Sequence, residues 1–155
     1  MSPFPRPELF WSTEQVAAKL GDPKVRIVDC RYSTDRDMRD EYRKAHLPGA
    51  VYLNWATDIS APPPPSGHPQ FMLQGPAEFA AAMSRLGIGD DTFVVGYDVE
   101  GGHHAARLWL GLRLCGLEDK RVRDLVVEPE RDRCGRRARA MDQKLQPPGL
   151  DRVEA

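Results

Sequence analysis

Three short apolar runs, each bounded by turn-forming residues, mark the first 117 positions. They are Val25-Arg-Ile-Val-Asp29, Val51-Tyr-Leu53 and Thr92-Phe-Val-Val-Gly-Tyr97. Short runs rich in β-branched and aromatic residues predict buried strands. Between them the pattern turns helical. Ser12-Thr-Glu-Gln15 is a capping box, with Trp11 and Val16 spaced as a hydrophobic staple. The helix it opens is expected to reach about Leu20 and stop at Gly21. A polar segment, Arg36 to Ala45, reads as a second helix before the turn Leu47-Pro-Gly-Ala50. Pro62 to Pro65 form a polyproline loop. Pro76 suits a first helical position, Phe79, Met83 and Leu86 share one face, and Gly87 closes the helix. The stretch Ala105 to Cys115 is apolar nearly all round and predicts a well-buried helix.

Strands alternating with helices predict an α/β fold with a mostly parallel sheet. Sites in such folds gather at the carboxyl ends of the strands. Asp29 and Asp98 stand at two of those ends.

Composition divides the chain. All twelve aromatic residues precede Leu117, whereas half of the 38 residues from Glu118 to Ala155 are charged. Such a segment has little apolar surface to offset its ordering entropy. The expected domain is 8–117, extending to 127 if Arg121-Val-Arg-Asp-Leu-Val-Val127 adds a strand, and 128–155 reads as a disordered charged tail. The abrupt change also suggests a truncated or frame-shifted product. The net charge of −1 lacks the basic excess that whole-chain nucleic-acid binding wants. Arg136-Arg-Ala-Arg139 is weakened as an anion site by nearby Glu128, Glu130 and Asp132. The chain has no apolar run long enough for a membrane span and no signal-peptide core, so cytoplasm is the expected compartment. Cys30, Cys115 and Cys134 are scattered and form no C-x-x-C pair, which argues against a zinc ribbon or a disulfide framework.

The strongest site candidate is the loop Asp98-Val-Glu-Gly-Gly-His-His104, comprising Asp98, Glu100, Gly101, Gly102, His103 and His104. A strand, a glycine loop and a helix start converge backbone N–H groups on one point, a geometry suited to an anion or a thiolate. Asp98 is itself an acceptor for those groups, and Glu100 adds a second negative charge. The loop therefore reads as self-satisfied, with Asp98 as a helix cap. His103 and His104 are adjacent and are expected to point in different directions, so neither a metal nor another cofactor is expected. Nucleotide-binding, G-x-S-x-G and H-E-x-x-H motifs are absent. Cys30 follows Asp29 with no activating His placed near it by sequence. Cys115 falls on the apolar helix, where a thiol acts as a small hydrophobe. Cys134 lies among arginines but in the expected tail.

Taken together, Ile27-Val-Asp-Cys-Arg31, Glu41-Tyr42 and His46-Leu-Pro-Gly-Ala-Val51 resemble the first signature of rhodanese-like domains. Gly87-Ile-Gly-Asp-Asp91, Val94-Val-Gly-Tyr-Asp98 and Ala105-Ala-Arg-Leu-Trp109 continue the likeness in order. The chain is especially similar to the N-terminal, non-catalytic domain of two-domain thiosulfate and 3-mercaptopyruvate sulfurtransferases. The resemblance implies a three-layer fold with a five-stranded, mostly parallel sheet, whose last strand is eroded here. It implies that active members carry a catalytic cysteine where this chain has Asp98, and that this cysteine holds sulfur as a persulfide. A carboxylate cannot do so. The domain is therefore expected to be inactive alone and without cofactor; the alternative is a binding or scaffold module that pairs with a separate catalytic rhodanese domain. Asp29, Arg31, Glu41, His46 and Gly49 match the family's structural motif, with Arg31 or a nearby arginine expected to pair with Glu41. Asp58 and His68 lie in the region that the mercaptopyruvate branch uses at its interdomain cleft, although their offsets differ.

Overall fold

A computed structural model describes residues 7–116 and 122–125. The apolar run Val25–Asp29 forms strand β1, Val51–Tyr52 forms β2 and Phe93–Tyr97 forms β3. A further strand, β4, spans Val122–Leu125. The strand order is β2-β1-β3-β4 and each neighbouring pair is parallel. The segment read as an eroded last strand therefore does pair. Val94 lies opposite Val122 and Tyr97 opposite Leu125, because a parallel ladder needs backbone groups more than particular side chains. The tail 128–155, with Cys134 and Arg136–Arg139, lies outside the described residues.

The helices follow the sequence pattern with shorter bounds. Helix α1 covers Thr13–Ala17, and both reciprocal bonds of the Ser12/Gln15 capping box form. Turns, not helix, continue to Gly21. Helix α2 spans Arg39–Lys44, and a four-residue helix, α3, spans Trp55–Asp58 after an Asn54 cap. Helix α4 runs Pro76–Arg85 with Pro76 in its first turn, and α5 runs His103–Leu114.

Alternation along the strands builds two cores. On one face Val28 and Val94 meet Phe79, Ala82 and Met83 of α4 and Leu108 and Leu112 of α5. On the other, Ile27, Val95 and Tyr97 meet Val16 of α1 and Ala50, with Trp11 packed against them. Trp11 also stacks on Phe93, ring centroids 4.7 Å apart. Gly96 lets α5 come close to β3, since a Cβ there would stand 3.2 Å from that of Ala105. The expectation that α5 is buried all round is corrected. Leu108 and Leu112 are buried, but Leu110 and Leu114 are 48% and 67% exposed. The helix packs one face on the sheet, and nothing described covers the other. Cys115, just past its end, is exposed as well, rather than a core hydrophobe.

Candidate functional site

The two strand-end carboxylates lie side by side in the sheet but on opposite faces. The register sets Asp29 opposite Tyr97, one residue before Asp98, and side chains alternate. Both acids are buried.

Asp98 is held by backbone alone among the bonds described. Its Oδ1 accepts from the N–H groups of Glu100 and Gly102, both at 2.8 Å. Its Oδ2 accepts from those of His104 at 2.8 Å and Ala105 at 3.1 Å. Four amides thus close on one carboxylate. Gly101 and Gly102 make the ring possible, with φ of 83° and 93°, a region that costs an L side chain about 1–2 kcal/mol. The N-cap position proper belongs to Gly102, so Asp98 caps α5 from four residues upstream. The sequence reading of Asp98 as a cap holds through its side-chain bonds, while the glycine reversal that carries the chain from Asp98 to the helix start is seen only in the structure.

His103 and His104 do not diverge as adjacent helical residues were expected to. Both Nε2 atoms lie 3.6 Å from Glu100 Oε2, and the two ring centroids are 3.8 Å apart. The glycine turn brings Glu100 back over the first turn of α5, where both rings reach it. His103 is exposed and its Nδ1 lies 3.1 Å from the Glu100 carbonyl oxygen. His104 is buried, stacked on Trp55 and edge-on to Tyr32. Burial, then the neighbouring His103, pushes its pKa below the ordinary value, against the pull of Asp98 and Glu100.

Asp29 is held mainly by side chains, with one backbone bond from the Arg31 N–H at 3.1 Å. Arg31 donates to it from Nε at 2.9 Å and from Nη2 at 2.6 Å, and the Tyr97 hydroxyl donates at 2.6 Å. Burial opposes the charge of Arg31, but the Asp29 bond and charge prevail and hold its pKa above the usual arginine value. Burial, then the charge and hydrogen bond of Asp29, drives the Tyr97 pKa well up. Arg31 also donates to the Ala45 carbonyl, tying β1 to the end of α2. Among the described residues Glu41 pairs with Lys44 at 3.0 Å and with Arg36 at 3.7 Å. The nearby arginine is therefore Arg36, while Arg31 is occupied by Asp29. His46 stacks on Tyr42, and Gly49 takes φ 74° in the turn before β2.

The remaining candidates lie apart from the loop's amide ring. Asp58 ends α3 and accepts from the Asn54 N–H at 2.9 Å, which braces that short helix. His68 is exposed in the proline-rich loop. Cys30 is fully buried with its Sγ toward the Val28 carbonyl, so no reagent reaches it in this conformation. Sequence reasoning missed Arg107. It lies over the Trp55 ring at 4.9 Å and donates to Ser60 Oγ and the Phe71 carbonyl, joining α5 to the segment after α3. Its place in Ala105-Ala-Arg-Leu-Trp109, part of the family likeness, and its spacing after His103 and His104 on one helix are the sequence signals for it.

A parallel α/β sheet with a glycine loop feeding a helix packed by one face on the sheet defines the class, and comparison with known proteins supplies the family. The family model described as a rhodanese-like domain matches residues 12–126. The chain belongs to the rhodanese-like family and is similar to thiosulfate and 3-mercaptopyruvate sulfurtransferases. It is 34% identical over 115 residues to the 3-mercaptopyruvate sulfurtransferase of Escherichia coli K12, covering 70% of this chain and 39% of that protein. It is 35% identical over 112 residues to the thiosulfate sulfurtransferase of Gallus gallus, covering 68% and 37%. The crystal structure of SseA from Escherichia coli, a 3-mercaptopyruvate sulfotransferase, superposes with a TM-score of 0.61 at 31% identity. That alignment covers 76% of this chain and 45% of the other. The chain thus spans about two fifths of the length of the curated relatives it matches. No helix among the described residues is long and apolar enough to cross a membrane.

Proposed function

We propose that this sulfurtransferase-family domain transfers no sulfur by itself and works beside a rhodanese domain that carries a catalytic cysteine. The observation that carries the reading is the occupation of the loop by Asp98, whose two oxygens take four N–H groups. A persulfide needs a sulfur nucleophile at that point, and a carboxylate has none. Cys30 is buried, and Cys115 lies at the far end of α5 from the loop. The exposed Leu110 and Leu114, one turn apart on α5, support pairing, since an uncovered apolar stripe suits a partner. The donors named by its relatives, thiosulfate and 3-mercaptopyruvate, belong to the paired assembly, and a reducing compartment such as the cytoplasm suits its thiols.

The test is sulfur transfer from thiosulfate or 3-mercaptopyruvate to cyanide by the purified chain, with mass spectrometry for an added sulfur atom. We expect no thiocyanate and no persulfide. Adding a cysteine-bearing rhodanese domain should give a complex on size exclusion that Leu114→Asp weakens. Sulfur on Cys30 or Cys115, with transfer abolished by the matching Cys→Ser change, would overturn the reading.

A further inference from the structure

We propose that Glu100, His103 and His104 form a divalent transition-metal site, with Zn2+ as the fitting cation, bound by Glu100 Oε2 and the Nε2 atoms of both histidines. One ligand atom from each residue lies within 4.8 Å of the others, and each histidine Nε2 is 3.6 Å from Glu100 Oε2. Two donors on a tetrahedral zinc with bonds of about 2.0–2.1 Å are roughly 3.3 Å apart. Closure therefore needs small side-chain rotations, and His103 and Glu100 are exposed enough to make them.

The neighbouring bonds prepare these ligands. The Glu100 carbonyl can only accept, so the 3.1 Å contact requires the proton of neutral His103 on Nδ1 and leaves the Nε2 lone pair facing Glu100. Fixing the far nitrogen of a ligand histidine in this way is a recurrent feature of metal sites. His104 is fixed by its stack on Trp55 and its edge contact with Tyr32. A helix N-terminus ordinarily repels a cation. Here four of the N–H groups around it end on the Asp98 carboxylate, and Glu100 supplies a further negative charge. Two imidazoles and one carboxylate suit zinc better than calcium or magnesium, which want oxygen ligands. With three protein ligands, the fourth position faces solvent on the exposed side of the loop.

The test uses the full chain. Zn2+ binding is measured by titration calorimetry, and Co2+ serves as the spectroscopic probe. We expect one saturable Zn2+ per chain and visible Co2+ bands without a thiolate charge-transfer band. His103→Ala and Glu100→Gln should each weaken affinity by at least about 10-fold, and together by roughly 100-fold or more, while the urea midpoint stays unchanged. Triple Cys→Ser replacement should leave binding intact. The absence of saturable binding, full affinity in the double variant, or a thiolate band that vanishes with the cysteines would each overturn the proposal.

Discussion

Asp29 and Asp98 end neighbouring parallel strands, both buried, and their charges are met in opposite ways. Asp29 faces a guanidinium, a phenol and one peptide N–H; Asp98 faces four peptide N–H groups and no charged partner among the described bonds. The first arrangement depends on two particular side chains, one of them 68 positions away. The second depends on the path of the chain, set by two glycines. Removing a carboxylate therefore strands a full charge in one case and neutral dipoles in the other. A buried charge is the harder group to leave alone.

That difference predicts a ranking. Asp29→Ala leaves Arg31, whose side chain is 12% exposed, and the Tyr97 hydroxyl without their acceptor. The expected loss is about 3 kcal/mol, read from the urea unfolding midpoint. Asp98→Ala frees four amides at a helix start, and water reaches part of that loop. The expected loss is smaller, about 1–2 kcal/mol in the same measurement. If Asp98→Ala proves the more damaging, the distinction between charged and dipolar partners fails here.

The smallest effect concerns alkaline pH. Burial pushes Tyr52 from 10.0 to about 12, and Tyr97 is raised as well. Below pH 10 both folded and unfolded chains keep these protons. Between pH 10 and about 12 the unfolded tyrosines lose theirs while the folded ones hold on. Stability therefore falls as pH rises through that window. Tyr52→Phe should flatten the fall slightly without cost at pH 7, because its buried hydroxyl has no hydrogen-bond partner among the described residues. Unfolding midpoints at pH 7, 10 and 11 check this. An unchanged slope would remove Tyr52 from the account.

Much of the fold was legible from local pattern. The runs at Val25 and Phe93 became strands nearly as read, Pro76 opened α4, and the Ser12/Gln15 box formed. These depend on neighbours within a few residues. The four-residue α3 was not legible, because so short a segment has no period to read. The stretch Arg121 to Val127 is ambiguous in sequence, and its pairing with β3 over Val122–Leu125 is made by backbone.

The candidate loop divides along the same line. By itself the sequence determined that a carboxylate stands where amides converge, since strand, glycines and helix are all written locally. Only the tertiary structure decided that Arg31 turns to Asp29 rather than Glu41. It alone showed that α5 leaves Leu110 and Leu114 uncovered, and that His103 and His104 both lean toward Glu100. The reason is physical. Short-range propensities set backbone path, whereas side-chain direction and burial follow from which distant surfaces the finished sheet brings against each element.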